Sequence, residues 1–110
     1  MILLAPLIAS TMAYAESFNL RCKAVYNSEV ILERDVTLEL KQRNLKIGGT
    51  EPFEFILSSN GDKKIELQAY NNWEPARSYA TATLTAADSF VELSIWKREY
   101  LMEARCTLLP

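Results

Sequence analysis

The amino-acid sequence predicts an all-β fold, a small antiparallel β-barrel or sandwich of about eight short strands whose first and last strands are linked by a disulfide. Three observations support this prediction. Apolar and polar residues alternate along most of the 110-residue chain, which is the pattern of half-buried strands. Turn-forming residues recur at intervals of about 8–12 residues, as is typical of sandwiches and barrels. One cysteine also lies near each end of the predicted domain.

Residues 1–15 differ from the rest of the chain because they carry no charged side chain. Their apolar run is shorter than the roughly 20 residues that a transmembrane helix needs. It ends in Ala13-Tyr14-Ala15, the small-residue pattern of a signal-peptide cleavage site. We therefore expect 1–15 to be a signal peptide and 16–110 to be a single all-β domain, periplasmic or secreted, without stable membrane insertion after cleavage. The alternative is that 1–15 forms a buried strand or helix of the domain.

Cys22 and Cys106 are the only two cysteines and lie 84 positions apart. In an exported protein, such a pair is expected to form a disulfide. The chain-entropy model assigns about 4–5 kcal/mol of stabilisation to a bridge that closes so long a loop. A bridge between these positions also requires the first and last strands to be neighbours.

The first half of the domain is predicted to contain four strands, because apolar residues alternate with polar ones over 18–26, 36–41, 45–47 and 53–57. Turn residues separate them, beginning with Asn27-Ser28. A helix over 28–41 is the alternative for the second strand, since Leu32, Val36 and Leu40 also have helical spacing. The period of two after Val36 favours a strand.

The second half is predicted to contain four more strands, over 64–70, 79–85, 91–96 and 102–108. Asn60-Gly61 before the first of them is a strong hairpin signal, because both residues tolerate positive φ. The segment 75–87 could instead be helical, since it is rich in alanine and begins with proline. Its alternating threonines favour a strand.

Composition excludes several classes of function. The chain has no histidine, which removes His-based catalysis and His-ligated metals. Its 12 Lys+Arg and 14 Asp+Glu give a formal net charge of −2, so a nucleic acid is not an expected partner. Neighbouring carboxylates such as Glu33 and Asp35 have no spacing that fixes a catalytic pair across a cleft. We expect no enzymatic activity, no cofactor and no metal.

The candidate binding residues are Trp73, Tyr70, Arg77 and Glu74, which lie within eight residues between two predicted strands, and Trp96, which the alternation places on an outer face. Trp, Tyr and Arg are enriched at the energetic centres of protein interfaces. Aromatic faces beside asparagine amides also suit sugar rings. The simpler interpretation of Trp73 alone is that it folds back and plugs one end of the barrel.

The layout of an exported domain of about 95 residues, all-β and cross-linked from first strand to last, resembles the small periplasmic barrels that inhibit c-type lysozymes. That family inserts a Ser-Gly-x-x-Tyr loop into the enzyme's cleft. Here Arg77-Ser78-Tyr79-Ala80 has a different order and spacing and no glycine. The resemblance therefore implies a fold and carries no inhibitory residues across.

Together these features predict an exported, non-enzymatic binding module with a protein partner, for which the inhibition of an envelope or cell-wall hydrolase is a candidate role. The alternative is a periplasmic carrier of a small ligand or glycan. A carrier would need a hollow interior, whereas Phe18, Phe53, Phe55 and Leu67 are predicted to face inward and fill it.

Overall fold

The computed structural model describes residues 17–74 and 76–110, and it confirms the predicted all-β fold. The eight strands are β1 (Ser17–Tyr26), β2 (Glu29–Glu39), β3 (Leu45–Gly49), β4 (Phe53–Ser59), β5 (Lys64–Asn71), β6 (Ala76–Thr83), β7 (Phe90–Lys97) and β8 (Tyr100–Leu108). Both segments for which a helix was the alternative contain strands. The predicted signal peptide lies outside the described residues.

The strands form two antiparallel sheets of four. Sheet A has the order β2-β1-β8-β7 and sheet B the order β3-β4-β5-β6. Apart from the pairing of β1 with β8, every hydrogen-bonded neighbour is also the next strand in the chain. The chain passes between the sheets from β2 to β3 and from β6 to β7, so the strands follow one another around a flattened barrel with a seam at each of these two crossings.

The predicted disulfide is confirmed, with Cys22 and Cys106 facing each other as register partners on β1 and β8. Both side chains are buried. Because β1 and β8 are the two central strands of sheet A, the bridge cross-links the middle of that sheet and fixes the neighbour relation that the sequence predicted.

The inward side of each strand supplies the hydrophobic core, as the period of two requires. Phe53, Phe55 and Leu67 are fully buried and Phe18 is nearly so, which confirms the inward orientation predicted for them. These side chains join residues from both sheets in one cluster. The space between the sheets is therefore occupied by protein side chains along the described part of the chain.

Three predicted details differ from the structure. β2 begins at Glu29 rather than at residue 36, because it pairs with the whole length of β1. β6 begins at Ala76 rather than at residue 79, since it pairs with β5 back to Asn71. The loop at Asn60-Gly61 joins β4 and β5 as predicted, yet it spans 60–63, with positive φ at Gly61 and Lys63.

Candidate functional site

One end of the barrel, here called the loop end, gathers the connections that follow β1, β3, β5 and β7, because the strands alternate in direction. The β1–β2 connection is a two-residue turn with positive φ at both Asn27 and Ser28. Its Asn27 amide hydrogen bonds to the Leu101 carbonyl, and the Leu101 amide donates in return to Asn27 Oδ1, both at 2.9 Å. These contacts join the first hairpin to the last.

An open groove of about 420 Å³, here called the end groove, lies at the loop end between the β1–β2 hairpin and the β3–β4 turn. Its apolar part consists of Tyr26, Val30, Ile31, Pro52 and Trp73. Thr50 and the carboxylates of Glu29 and Glu51 complete the lining. Trp73 is 62% exposed and Val30 is 48% exposed, so a large apolar surface faces solvent here.

The position of Trp73 is fixed by the asparagine that precedes its loop. Asn71 is buried, and its Oδ1 accepts hydrogen bonds from the backbone N–H groups of Trp73 (2.9 Å) and Glu74 (3.1 Å). Its Nδ2 donates to the Tyr100 hydroxyl at 3.1 Å. This is an Asx turn, in which a short polar side chain satisfies backbone donors close to it in the chain. The loop thus has a defined conformation although its tryptophan is exposed.

A second set of hydrogen bonds ties the same loop to the β3–β4 turn. The Asn72 amide donates to the Pro52 carbonyl at 2.9 Å, and the Asn72 side chain donates to the Glu51 carbonyl at 3.1 Å. The turn itself needs a glycine, because a Cβ on Gly49 would overlap the carbonyl oxygen of Phe53. The loop that carries Trp73 and the β3–β4 turn, which form two walls of the end groove, are therefore held together.

The barrel is closed at the loop end by aromatic side chains other than Trp73. The rings of Tyr26, Phe53 and Tyr100 lie with centroids 5.5–5.8 Å apart. Phe53 is fully buried beneath the two partly buried tyrosines. The interpretation of Trp73 as the plug of the barrel is therefore wrong, since tyrosines occupy that place and the indole remains outside.

The third wall of the groove depends on a β-bulge in β2. Ala24 pairs with Leu32 while the next residue, Val25, pairs with Val30, which leaves Ile31 as an extra residue. A bulge of this kind changes the direction in which side chains point. Sequence reasoning missed this wall, although Val30-Ile31-Leu32 contains more consecutive apolar residues than one buried face of a strand can take.

The structure separates the other candidate binding residues. Tyr70 and Arg77 are register partners on the outer face of sheet B, with the guanidinium carbon 5.9 Å from the ring centroid. Trp96 is 85% exposed on the outer face of sheet A, opposite Leu101. These three residues do not line the end groove. Among the predicted residues, only Trp73 does.

Glu74, the remaining candidate, connects the two sheets across the β6–β7 seam. Its carboxylate oxygens accept two hydrogen bonds of 3.1 Å from the Lys97 ammonium. The hydrogen bonds to Glu74 raise the pKa of Lys97 above its usual value, because they favour the charged ammonium. Because both groups are exposed, the pair positions the loop more than it stabilises the fold.

The described residues include no cluster of three or more His, Cys, Asp or Glu side chains arranged to hold a metal ion. They also include no helix long and apolar enough to cross a membrane. The end groove presents an indole face, aliphatic walls and two carboxylates.

Comparison with known proteins adds no relative to this picture. No protein-family model, curated protein or solved structure matches the chain.

Proposed function

We propose that this protein is an exported, non-enzymatic binding module that captures a protein partner at the end groove. The observation that supports this most directly is the exposed, hydrogen-bonded position of Trp73. Tryptophan is the residue type most enriched at interface hot spots. A contact residue whose backbone is already held in place loses less entropy when a partner binds.

An envelope or cell-wall hydrolase is the partner class to examine first, because the predicted signal peptide would place the protein beside such enzymes. The absence of histidine from the chain supports a binding role over a catalytic one. The disulfide is compatible with an oxidising compartment.

The alternative role as a small-ligand or glycan carrier has less support. Phe53, Phe55 and Leu67 fill the interior that a carrier would need to keep open. The asparagine amides that could bind sugar hydroxyls are also engaged: Asn71 with Tyr100, and Asn72 with a backbone carbonyl.

Capture from an envelope extract tests the proposal. The full chain, expressed with its own leader and purified through a C-terminal tag, is compared with Trp73→Ala and with Tyr79→Ala. Tyr79 is a matched control because it is 67% exposed and lies on the outer face of sheet B, away from the groove. We expect Trp73→Ala to weaken capture about tenfold or more while the melting temperature changes by less than about 2 °C.

Tyr79→Ala is expected to capture as well as the wild type. If Trp73→Ala retains the same partners as strongly as the wild-type protein does, the proposal is contradicted. If the Trp73-dependent partners include no hydrolase, the hydrolase role is wrong although the binding role stands.

A further inference from the structure

Resting on the proposed function, we propose that the end groove accepts a lysine or arginine side chain of the partner, laid against Trp73 between the carboxylates of Glu29 and Glu51. The inference specifies the chemistry of the partner at one position. Two observations support this proposal: the side chains that line the groove, and the absence of Glu29 and Glu51 from the ion pairs among the described residues.

Both titratable acids in the lining are available to a ligand. Among the described residues, the side-chain ion pairs join other partners and include neither Glu29 nor Glu51. The groove's lining among residues 17–74 and 76–110 includes no lysine or arginine. Two cations elsewhere are already paired, since Lys97 is bonded to Glu74 and Lys46 lies 3.7 Å from a carboxylate oxygen of Glu54.

The apolar part of the groove matches the rest of such a side chain. Lysine and arginine carry three or four methylenes that pack on apolar surface while the charged head stays near water. Val30 and Pro52 offer an aliphatic surface for the stem, and the Trp73 indole offers a π face for the cation. An acidic side chain would meet two carboxylates, and a purely aliphatic one would leave them without a counter-charge.

The depression on the outer face of sheet A, of about 400 Å³, lacks these properties. Its Arg105 is bonded to Glu92 at 2.7 Å, and its Arg21 is bonded to Asp35 at 2.9 Å. Both arginines of this depression are therefore already paired with carboxylates of the same sheet. In the end groove, by contrast, the described lining residues combine two carboxylates with an exposed aromatic side chain and include no lysine or arginine.

Peptide titration followed by NMR tests the inference without a known partner. The probes are acetyl-Ala-Lys-Ala-amide and its norleucine and glutamate counterparts, added to about 10 mM. The chain has two tryptophans, so the spectrum has two indole N–H signals, and Trp73→Ala identifies the relevant one. We expect the lysine peptide to shift that signal with a Kd about fivefold lower than that of the norleucine peptide.

The double variant Glu29→Gln/Glu51→Gln is expected to remove this preference while keeping the melting temperature. Glu33→Gln/Glu39→Gln is the matched control, because it makes the same change at exposed positions of β2 outside the groove, and it should keep the preference. A norleucine peptide that binds as tightly as the lysine peptide, or a lysine peptide that leaves the indole signal unmoved, overturns the inference. Either result leaves Trp73-dependent capture, and hence the proposed function, intact.

Discussion

Replacement of Asn71 by alanine should destabilise the protein more than any other polar substitution at the loop end. The variant removes the acceptor of the Trp73 and Glu74 amides and the donor to the Tyr100 hydroxyl. Each such hydrogen bond contributes about 0.5–1.5 kcal/mol net, and water reaches the two amides in part. We therefore expect the free energy of unfolding to fall by about 2–3 kcal/mol.

Urea denaturation and thermal melting measure this effect. For a domain of this size, about 2–3 kcal/mol corresponds to a fall in melting temperature of about 8–24 °C. Asn72→Ala is the matched control, because Asn72 is exposed and its side chain makes one bond, to the Glu51 carbonyl. That variant should lose less than about 1 kcal/mol.

Loss of the Asn71 side chain should also change the loop locally. Without Asn71, the amides of Trp73 and Glu74 lose their acceptor, so their hydrogen exchange should accelerate more than that of the strands. Two results would refute this account: a urea midpoint of Asn71→Ala equal to that of the wild type, or equal destabilisation of Asn71→Ala and Asn72→Ala. Either would mean that the Asx turn does not hold the loop, and Trp73 would then have no demonstrated anchor.

Three further outcomes follow from the structure. Cys22→Ala/Cys106→Ala should lose about 4–5 kcal/mol of stability in urea denaturation, and an unchanged midpoint would contradict the chain-entropy account. Gly49→Ala should lower the melting temperature sharply, because its Cβ would overlap the backbone at the start of β4; a melt like that of the wild type would refute the close approach. The hydrogen bonds from Arg21 lower the pKa of Asp35, so its contribution to stability is present above the unfolded-state pKa and is lost as the pH falls through the lower folded-state pKa. Melts of Asp35→Asn and the wild type should therefore converge in acid, and a constant difference would argue against the ion pair.

Much of the fold could be predicted because its determinants are local. The period of two identifies a half-buried strand wherever apolar and polar residues alternate, as in Phe18–Tyr26. The disulfide then adds one long-range constraint, the pairing of the first strand with the last. Together they predict the number of strands and the place of the first strand beside the last.

The rest depends on tertiary contacts that no local pattern encodes. The start of β2 was missed because charged residues around Arg34 interrupt the alternation, although Arg34 contacts the neighbouring sheet by donating to the Ile47 carbonyl at 3.0 Å. The two-residue turn with positive φ at both positions occurs at Asn27-Ser28. Asn60-Gly61, which is the stronger sequence signal for a tight hairpin, lies instead in a longer loop. Turn type follows from the register of the strands it joins as well as from its own residues.

The candidate site was found in part for the same reason. Trp73 could be singled out because a large aromatic residue in a polar loop is conspicuous by itself. Its neighbours Val30, on β2, and Pro52, in the β3–β4 turn, are more than 20 residues away in the chain, and only the order of the strands brings them together. Tyr70 and Arg77 are close to Trp73 in sequence, yet the alternation of β5 and β6 directs them to a different face.

The position of the disulfide strands also gives the molecule two unlike poles. Ser17 begins β1 and Leu108 ends β8 at the pole opposite the loop end, where the Leu109 amide donates to the Asn19 carbonyl at 2.9 Å. A surface, bead or fusion partner joined to the carboxyl terminus would therefore hold the molecule with the groove pointing away from the attachment. Immobilised in this orientation, every copy presents the same pole, the loop end, to the solution.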